Sequence, residues 1–269
     1  QKDLDLTGSN SLIHLIDNTT SEQGHNLLVK WLTTYKNSFA DILARQRMVK
    51  ELISENRFRN KLQLQFMLAS KRKLNGDALI EKLSAENSIP RLKKILILLF
   101  ILVPVNVILF LFFLTINLPA YFAFTLLIYL AVHWFNIKHI SGLFEKADSL
   151  ISELGKFSVV LEFIEKNPLH RSPNTRKLCS TLFDAVKSPS KEFKKLNKLM
   201  YALSFQKNPL FEMLLNVAFP WDFYFAYRFE TVKNELTELL PKWLDVWYNL
   251  EALNSLANFG SLNPGYTFP

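Results

Sequence analysis

Apolar residues recur along most of this chain at spacings of three and four, and in the first ninety residues such runs are preceded by residues suited to capping a helix. Ser21 stands ahead of Glu22, Leu27, Leu28, Trp31 and Leu32, which fall on one helical face. Ser38 precedes Phe39, Ile42, Leu43, Met48-Val49 and Leu52-Ile53 in the same way. Asn56 opens a third run through Phe58, Leu62, Leu64, Phe66 and Met67, and Asn75-Gly76 marks a break. Ser88-Ile89-Pro90 reads as a further cap, with proline near a first turn. Downstream, Ile140, Leu143, Phe144, Ala147, Leu150, Ile151, Leu154, Phe157, Leu161 and Ile164 predict one helix of about 37 Å, interrupted by Asn167-Pro168 and Ser172-Pro173. Two helices are then expected near Thr175 to Val186 and Lys191 to Phe205. Two long ones follow, Leu210 to Leu240 and Lys242 to Leu262, with Pro220 and Pro241 as kinks or starts. No stretch alternates with period two between hairpin turn signals, so the expected fold class is all-α.

One stretch departs from this periodicity. From Ile95 to Ile137 there is no Asp, Glu, Lys or Arg, and the block splits at Asn117-Leu118-Pro119. Helices over Ile95 to Ile116 and Pro119 to Ile137 would be about 33 Å and about 28 Å long. Both lengths are close to the roughly 30 Å hydrocarbon thickness of a bilayer. The pattern predicts an apolar helical hairpin of transmembrane type set into a water-soluble helical protein. Arg91, Lys93 and Lys94 precede the first span, and Lys138 and His139 follow the second. The turn between the spans is uncharged, so the positive-inside rule places both flanks on the cytoplasmic side of the inner or plasma membrane. Trp134 and Tyr121 suit the lipid–water boundary. Asn106, two residues after Pro104, is expected to make an interhelical hydrogen bond; one amide with no ionisable neighbour is a poor permeation path.

Composition sharpens this division. All 32 basic and 24 acidic residues lie outside the apolar block, so the remainder is about a quarter charged, as in ordinary soluble domains. The net charge of +8 suits an anionic partner, either lipid or nucleic acid. The single cysteine, Cys179, excludes an internal disulfide and a cysteine-based zinc site, and reads as a small buried residue. The chain begins at Gln1 with no apolar leader and stops in Asn263-Pro264-Gly265-Tyr266-Thr267-Phe268-Pro269, which reads as a piece of something longer.

Catalytic and ligand-binding signatures are missing from the sequence. No phosphate-cradling glycine loop and no G-x-S-x-G elbow occurs among the seven glycines. The five histidines (His14, His25, His133, His139, His170) lack metal-ligand spacing. Carboxylate pairs such as Glu162 with Glu165 are expected to form a solvated helix face. No enzyme activity and no catalytic, cofactor or metal residue is therefore expected in these 269 residues. The one charged cluster with a functional pattern is Lys191, Lys194, Lys195 and Lys198, at i, i+3, i+4 and i+7 near Lys187. Such a face could track phosphates of DNA. It could equally be a solvent face opposite Phe193, Leu196, Leu199 and Met200.

The run Asp5-Leu6, Ser11-Leu12, Leu15-Ile16-Asp17, Gly24, Leu27-Leu28 and Trp31-Leu32, then Ile42, Arg45-Gln46, Val49 and Glu51-Leu52, resembles the start of the core domain of the MutS family of DNA mismatch-repair ATPases. The family has a G-x-R-L-L-x-x-W-L helix followed by an I-x-x-R-Q-x-x-V helix; here Asn26 replaces the usual Arg. Leu250-Glu251-Ala252-Leu253-Asn254-Ser255-Leu256-Ala257 resembles the helix leading from that core into the family's ATPase domain. Phe163-Ile164-Glu165 matches the mismatch-reading Phe-x-Glu motif in letters only, on a helix. The resemblance implies an all-α core and lever domain that couples ATP and Mg in an ATPase domain beyond residue 269 to DNA or partner binding. It also implies a homodimeric full-length protein and a membrane-anchored branch without the mismatch-reading domain. The expected organisation is residues 1–90 as the first part of the core, 91–138 as the hairpin, and 139–269 as lever helices and the rest of the core. The rival reading is a membrane-anchored helical interaction or scaffold protein with no nucleic-acid role.

Overall fold

Polar caps set the helix starts in a computed structural model that describes residues 11–34, 38–69, 74–85, 91–204, 215–216 and 219–266. Helix α1 covers Leu12–Ile16, α2 Glu22–Thr33, α3 Phe39–Ser54, α4 Asn56–Ala69 and α5 Gly76–Ser84. The caps are the expected ones: Ser21 accepts from the Gly24 amide and Ser38 from the Asp41 amide. At Asn75 the chain does more than break, because its side chain accepts from the Ala78 amide at the start of α5. The proposed cap at Ser88-Ile89-Pro90 lies outside the described residues. Helix α6, Leu92–Ile116, starts instead from Arg91 in the left-handed region. Among the described residues there is no strand, only one isolated bridge between Ser21 and Leu74.

The long helix expected downstream of the block is present and joins the second apolar span without a break. Helix α7 runs from Tyr121 to Lys166, 46 residues, so the 140–164 periodicity and the 121–137 span belong to one rod. Two expectations need correction. The helix expected near Thr175 to Val186 is only α8, Pro173–Leu178, tightening into a 3₁₀ turn over Cys179–Phe183. Asp184 then stops it by accepting from the Val186 and Lys187 amides at 2.7 and 3.0 Å, a local turn that competes with helix.

After α9, Pro189–Ser204, the second correction concerns Pro241. Helix α10 runs unbroken from Trp221 to Leu262 through Pro241. An interior proline costs about 3 kcal/mol. Leu240, Trp243, Leu244 and Trp247 are all buried around it, at about 1.5–3 kcal/mol per large apolar side chain. Their burial outweighs the lost hydrogen bond. Pro220 does mark a start, immediately before Trp221.

By its contacts the chain forms two compact units. One comprises residues 1–83, 153–193 and 237–269. Its core centres on Trp247, whose ring lies 5.4 Å from Phe66 and 5.2 Å from Phe157, with Trp243 against Phe193. Cys179 is buried there, as expected.

The other unit comprises residues 84–152 and 194–236 and holds the apolar hairpin. Its two helices are long and apolar enough to cross a membrane, with mean hydropathy 3.1 and 1.2 over the most apolar windows. Only 11% and 6% of those windows are buried, which separates them from the core helices of a soluble domain. They pair as an antiparallel hairpin: Thr125 donates to the Asn106 side chain, and Phe122 packs on Phe110 and Phe113. Asn106 therefore makes the expected interhelical bond. Asn117, in the left-handed conformation that Asn tolerates best after Gly, ends α6 at the turn.

Candidate functional site

The residues that carry the family resemblance meet in the first unit. The N-terminus of α2 has orphan amides that need acceptors. The Ser21 side chain takes the Gly24 amide and the Leu74 carbonyl takes that of Glu22, while the residues just ahead of the helix reach the far end of the sequence. The Glu251 carboxylate accepts from the Thr20 amide at 3.0 Å, from the Thr20 hydroxyl at 2.5 Å, and from the Ser21 amide at 3.2 Å on each oxygen. The Ser21 hydroxyl also donates to Glu251 while accepting from Gly24, so carboxylate, hydroxyl and amide form a relay. Gly24 is required by this approach: a Cβ at that position would overlap the Glu251 carboxylate and the Ser21 hydroxyl. Burial pushes the Glu251 carboxyl up and its hydrogen bonds from Ser21 and Thr20 pull it back, leaving it above the ordinary carboxylate range.

Next to this clasp, Ile16, Leu28 and Ala252 form a buried cluster flanked by Leu27, Trp31, Leu32, Leu256 and Phe259. The Ser255 hydroxyl accepts from the Asn18 amide at 3.1 Å, and Asn254 donates to Gln63 at 2.9 Å. Asp17 accepts from Thr19 and contacts His25 Nδ1 at 2.6 Å; these bonds outweigh burial and hold its carboxyl below the ordinary range. The Arg45 guanidinium lies 4.1 Å above the Trp31 ring, joining the two helices of the N-terminal pattern. Of the resembling residues, Asp5-Leu6 lies outside the described ones. Asn26, at the position of the family's Arg, is exposed.

Two further carboxylates cap helices from elsewhere in the same unit, and sequence reasoning missed both. Glu51 accepts four bonds from the amides and side chains of Asn174 and Thr175, at 2.6–3.1 Å, at the start of α8. Burial raises its carboxyl, but these donors outweigh it and the net shift is downward. Glu165, expected on a solvated face with Glu162, instead accepts from the Ser190 amide and hydroxyl at 2.8 and 2.7 Å, at the start of α9. Glu162 pairs with Lys166 at 3.1 Å. Phe163 stacks on Phe58 and Ile164 is buried, so the Phe-Ile-Glu triplet is part of the packing. The available signal was a lone acid within an apolar helical run, as in Leu250-Glu251-Ala252.

Lys191, Lys194, Lys195 and Lys198 are all exposed on α9, Lys191 in the first unit and the other three in the second. Lys195 pairs with Glu235 at 3.3 Å, and Lys191 donates to the Ala185 carbonyl. In the second unit, Arg91, Lys93, Lys94, Lys138 and His139 are exposed, and Trp134 is 78% exposed. The antiparallel contacts pair residue 106 with 125 and 110 with 122. Continued outward, that register brings Lys93 and Lys94 level with Lys138 and His139. Among the described residues no group of His, Cys, Asp and Glu could hold a metal. Burial pushes the Cys179 thiol up to about 12.

Comparison of the chain with protein-family models, curated proteins and solved structures finds no match in any of the three.

Proposed function

We propose that this chain is the helical core and connector of a membrane-anchored, MutS-like ATPase. One observation carries the reading. The two stretches that resemble the family, more than two hundred residues apart in sequence, form one joint through Glu251, Ser21, Gly24 and the Ile16–Leu28–Ala252 cluster. Chance likeness in two short segments would not require them to meet, nor to place Ile16, Gly24, Leu28, Glu251 and Ala252 together at the joint. Their roles are caps, clasps and packing, which suits a part that transmits force. The chemistry would belong to an ATPase domain outside these residues, where ATP and Mg act. Helices α7 and α10, about 69 and 63 Å long at 1.5 Å per residue, are the rods through which ATP state would reach DNA or a partner. The apolar hairpin ties the assembly to the cytoplasmic face of a membrane, and the full-length protein acts as a homodimer.

The rival reading is a membrane-anchored helical scaffold without a nucleic-acid role. It gains from the ties on the lysine face, Lys195 to Glu235 and Lys191 to the Ala185 carbonyl. Duplex binding by the chain in lipid nanodiscs at low salt, compared with Lys191, Lys194, Lys195 and Lys198 all replaced by Glu, separates the two. The connector reading expects weakened binding, and a slope of log K on log salt shallower by up to about 0.9 for each lysine that meets a phosphate. Unchanged affinity would remove DNA from the function and leave the scaffold.

A further inference from the structure

Residues 213–227 read MLLNVAFPWDFYFAY, with Asp222 as the one charge. Trp, Tyr and Phe so concentrated are the residues of a lipid–water boundary. The sequence pattern places this region in one long helix, Leu210 to Leu240, with Pro220 as a kink or start. The second unit instead packs its described part against the apolar hairpin.

Phe100 of α6 lies 5.2 Å from the Phe219 ring and 6.4 Å from Tyr224. On α7, His133 lies 5.7 Å from Phe223, and the Tyr129 hydroxyl donates to the Asn216 carbonyl. Phe100 is about 9 Å along the helix from Lys94, and His133 and Tyr129 are about 8 and 14 Å from Lys138. All three hairpin residues therefore lie within the apolar block, in the half nearer the charged flanks. If the hairpin spans a bilayer, whatever packs at these depths lies below the headgroups.

Non-helical backbone is tolerated at that depth only where the protein itself satisfies its polar groups. The described residues of the segment make bonds of this kind. Asn216 gives its carbonyl to Tyr129, accepts from the Asp222 amide at 3.2 Å and donates to the Asp222 carboxylate at 2.9 Å. The Phe219 and Tyr224 amides reach the Leu215 and Pro220 carbonyls, both at 2.9 Å. Pro220 has no amide to satisfy. Asp222 is fully buried and sits in the first turn of α10, where the helix dipole favours a negative charge. The half-buried Trp221, Tyr224 and Phe225 pack beside Asp222 in one aromatic cluster.

We infer that Leu215, Asn216 and Phe219–Tyr227 form a third membrane element, an aromatic wedge beside the hairpin in the leaflet of its charged flanks, in contact with phospholipid acyl chains. The inference rests on the membrane reading of the hairpin. The unmodified chain in phosphatidylcholine vesicles carrying an acyl-chain diazirine phosphatidylcholine tests both. After irradiation and digestion, lipid adducts are expected on peptides covering Phe219–Tyr227 as well as on those from the 95–137 block. Adducts confined to the block would overturn the wedge and keep the anchor. Adducts on neither would overturn both.

Discussion

A carboxylate that caps a helix from a distant part of the chain uses its charge and its geometry at once, so removing it uncaps one element and loosens another. Glu251, Glu51 and Glu165 each do this, but in different surroundings. Glu251 is 1% exposed, and truncating it leaves the Thr20 and Ser21 amides and hydroxyls without their acceptor. Glu251→Ala is expected to cost several kcal/mol, at about 1–3 kcal/mol for each buried donor left unsatisfied. Glu51→Ala, at a half-buried cap, should cost about 1–2 kcal/mol. Denaturant midpoints compare the two, and equal losses would contradict the difference in burial. The pH dependence should differ in sign as well. The Glu51 carboxyl is held below its ordinary range, so its contribution is present above about 4.3 and is lost as pH falls through the lower folded value. The Glu251 carboxyl is raised, so the folded state holds the proton more tightly and stability declines as pH rises from about 4.3 through the raised value. Glu51→Gln should flatten the stability–pH curve on the acid side of that value, and Glu251→Gln on the other side.

At the scale of elements, the half of the hairpin nearer its turn is joined by the Asn106–Thr125 bond and by the packing of Phe122 on Phe110 and Phe113. Asn106→Leu removes the acceptor of Thr125, whose hydroxyl keeps a second partner in the Phe122 carbonyl at 3.1 Å. The expected loss is therefore small, about 0.6–1.7 kcal/mol, the span measured for hydrogen bonds between membrane helices. Steric-trap or SDS unfolding in bicelles would read it, and a loss several times larger would mean that Asn106 does more than hold its neighbour. Sequence pattern made most of these elements legible. The apolar block, the Ser21 and Ser38 caps and the long helix after the hairpin all follow from local periodicity and cap chemistry. Pro241 misleads, because burial of Leu240, Trp243, Leu244 and Trp247 is a tertiary effect that overrides a local breaker. Glu165 misleads for a related reason. Whether an acid faces water or caps another element depends on what packs against it, and spacing along one helix cannot encode that.

Over the whole molecule, the separation of charge from the apolar block fixes a single insertion topology to be tested. Two spans joined by the uncharged turn at Asn117-Leu118-Pro119 return the chain to the side it left, and the hairpin register puts Lys93, Lys94, Lys138 and His139 at one end. Each basic flank resists translocation, whereas the turn has no charge to hold it back. One odd residue makes the test simple. Cys179 is buried and burial pushes its thiol up to about 12, so it stays protonated and unreactive at neutral pH. A cysteine introduced by Lys94→Cys, Lys138→Cys or Asn117→Cys would then be the one thiol open to a membrane-impermeant maleimide. In spheroplasts and in inverted vesicles, positions 94 and 138 should label together from the cytoplasmic side, and position 117 from the opposite side. Labelling of all three from the same side would show that the block lies on the membrane without crossing it. Labelling of 94 and 138 from opposite sides would mean that only one of the two helices spans. The second result would remove the cytoplasmic placement of the charged helices on which the DNA-binding proposal depends, and so would the first if the shared side were not the cytoplasmic one.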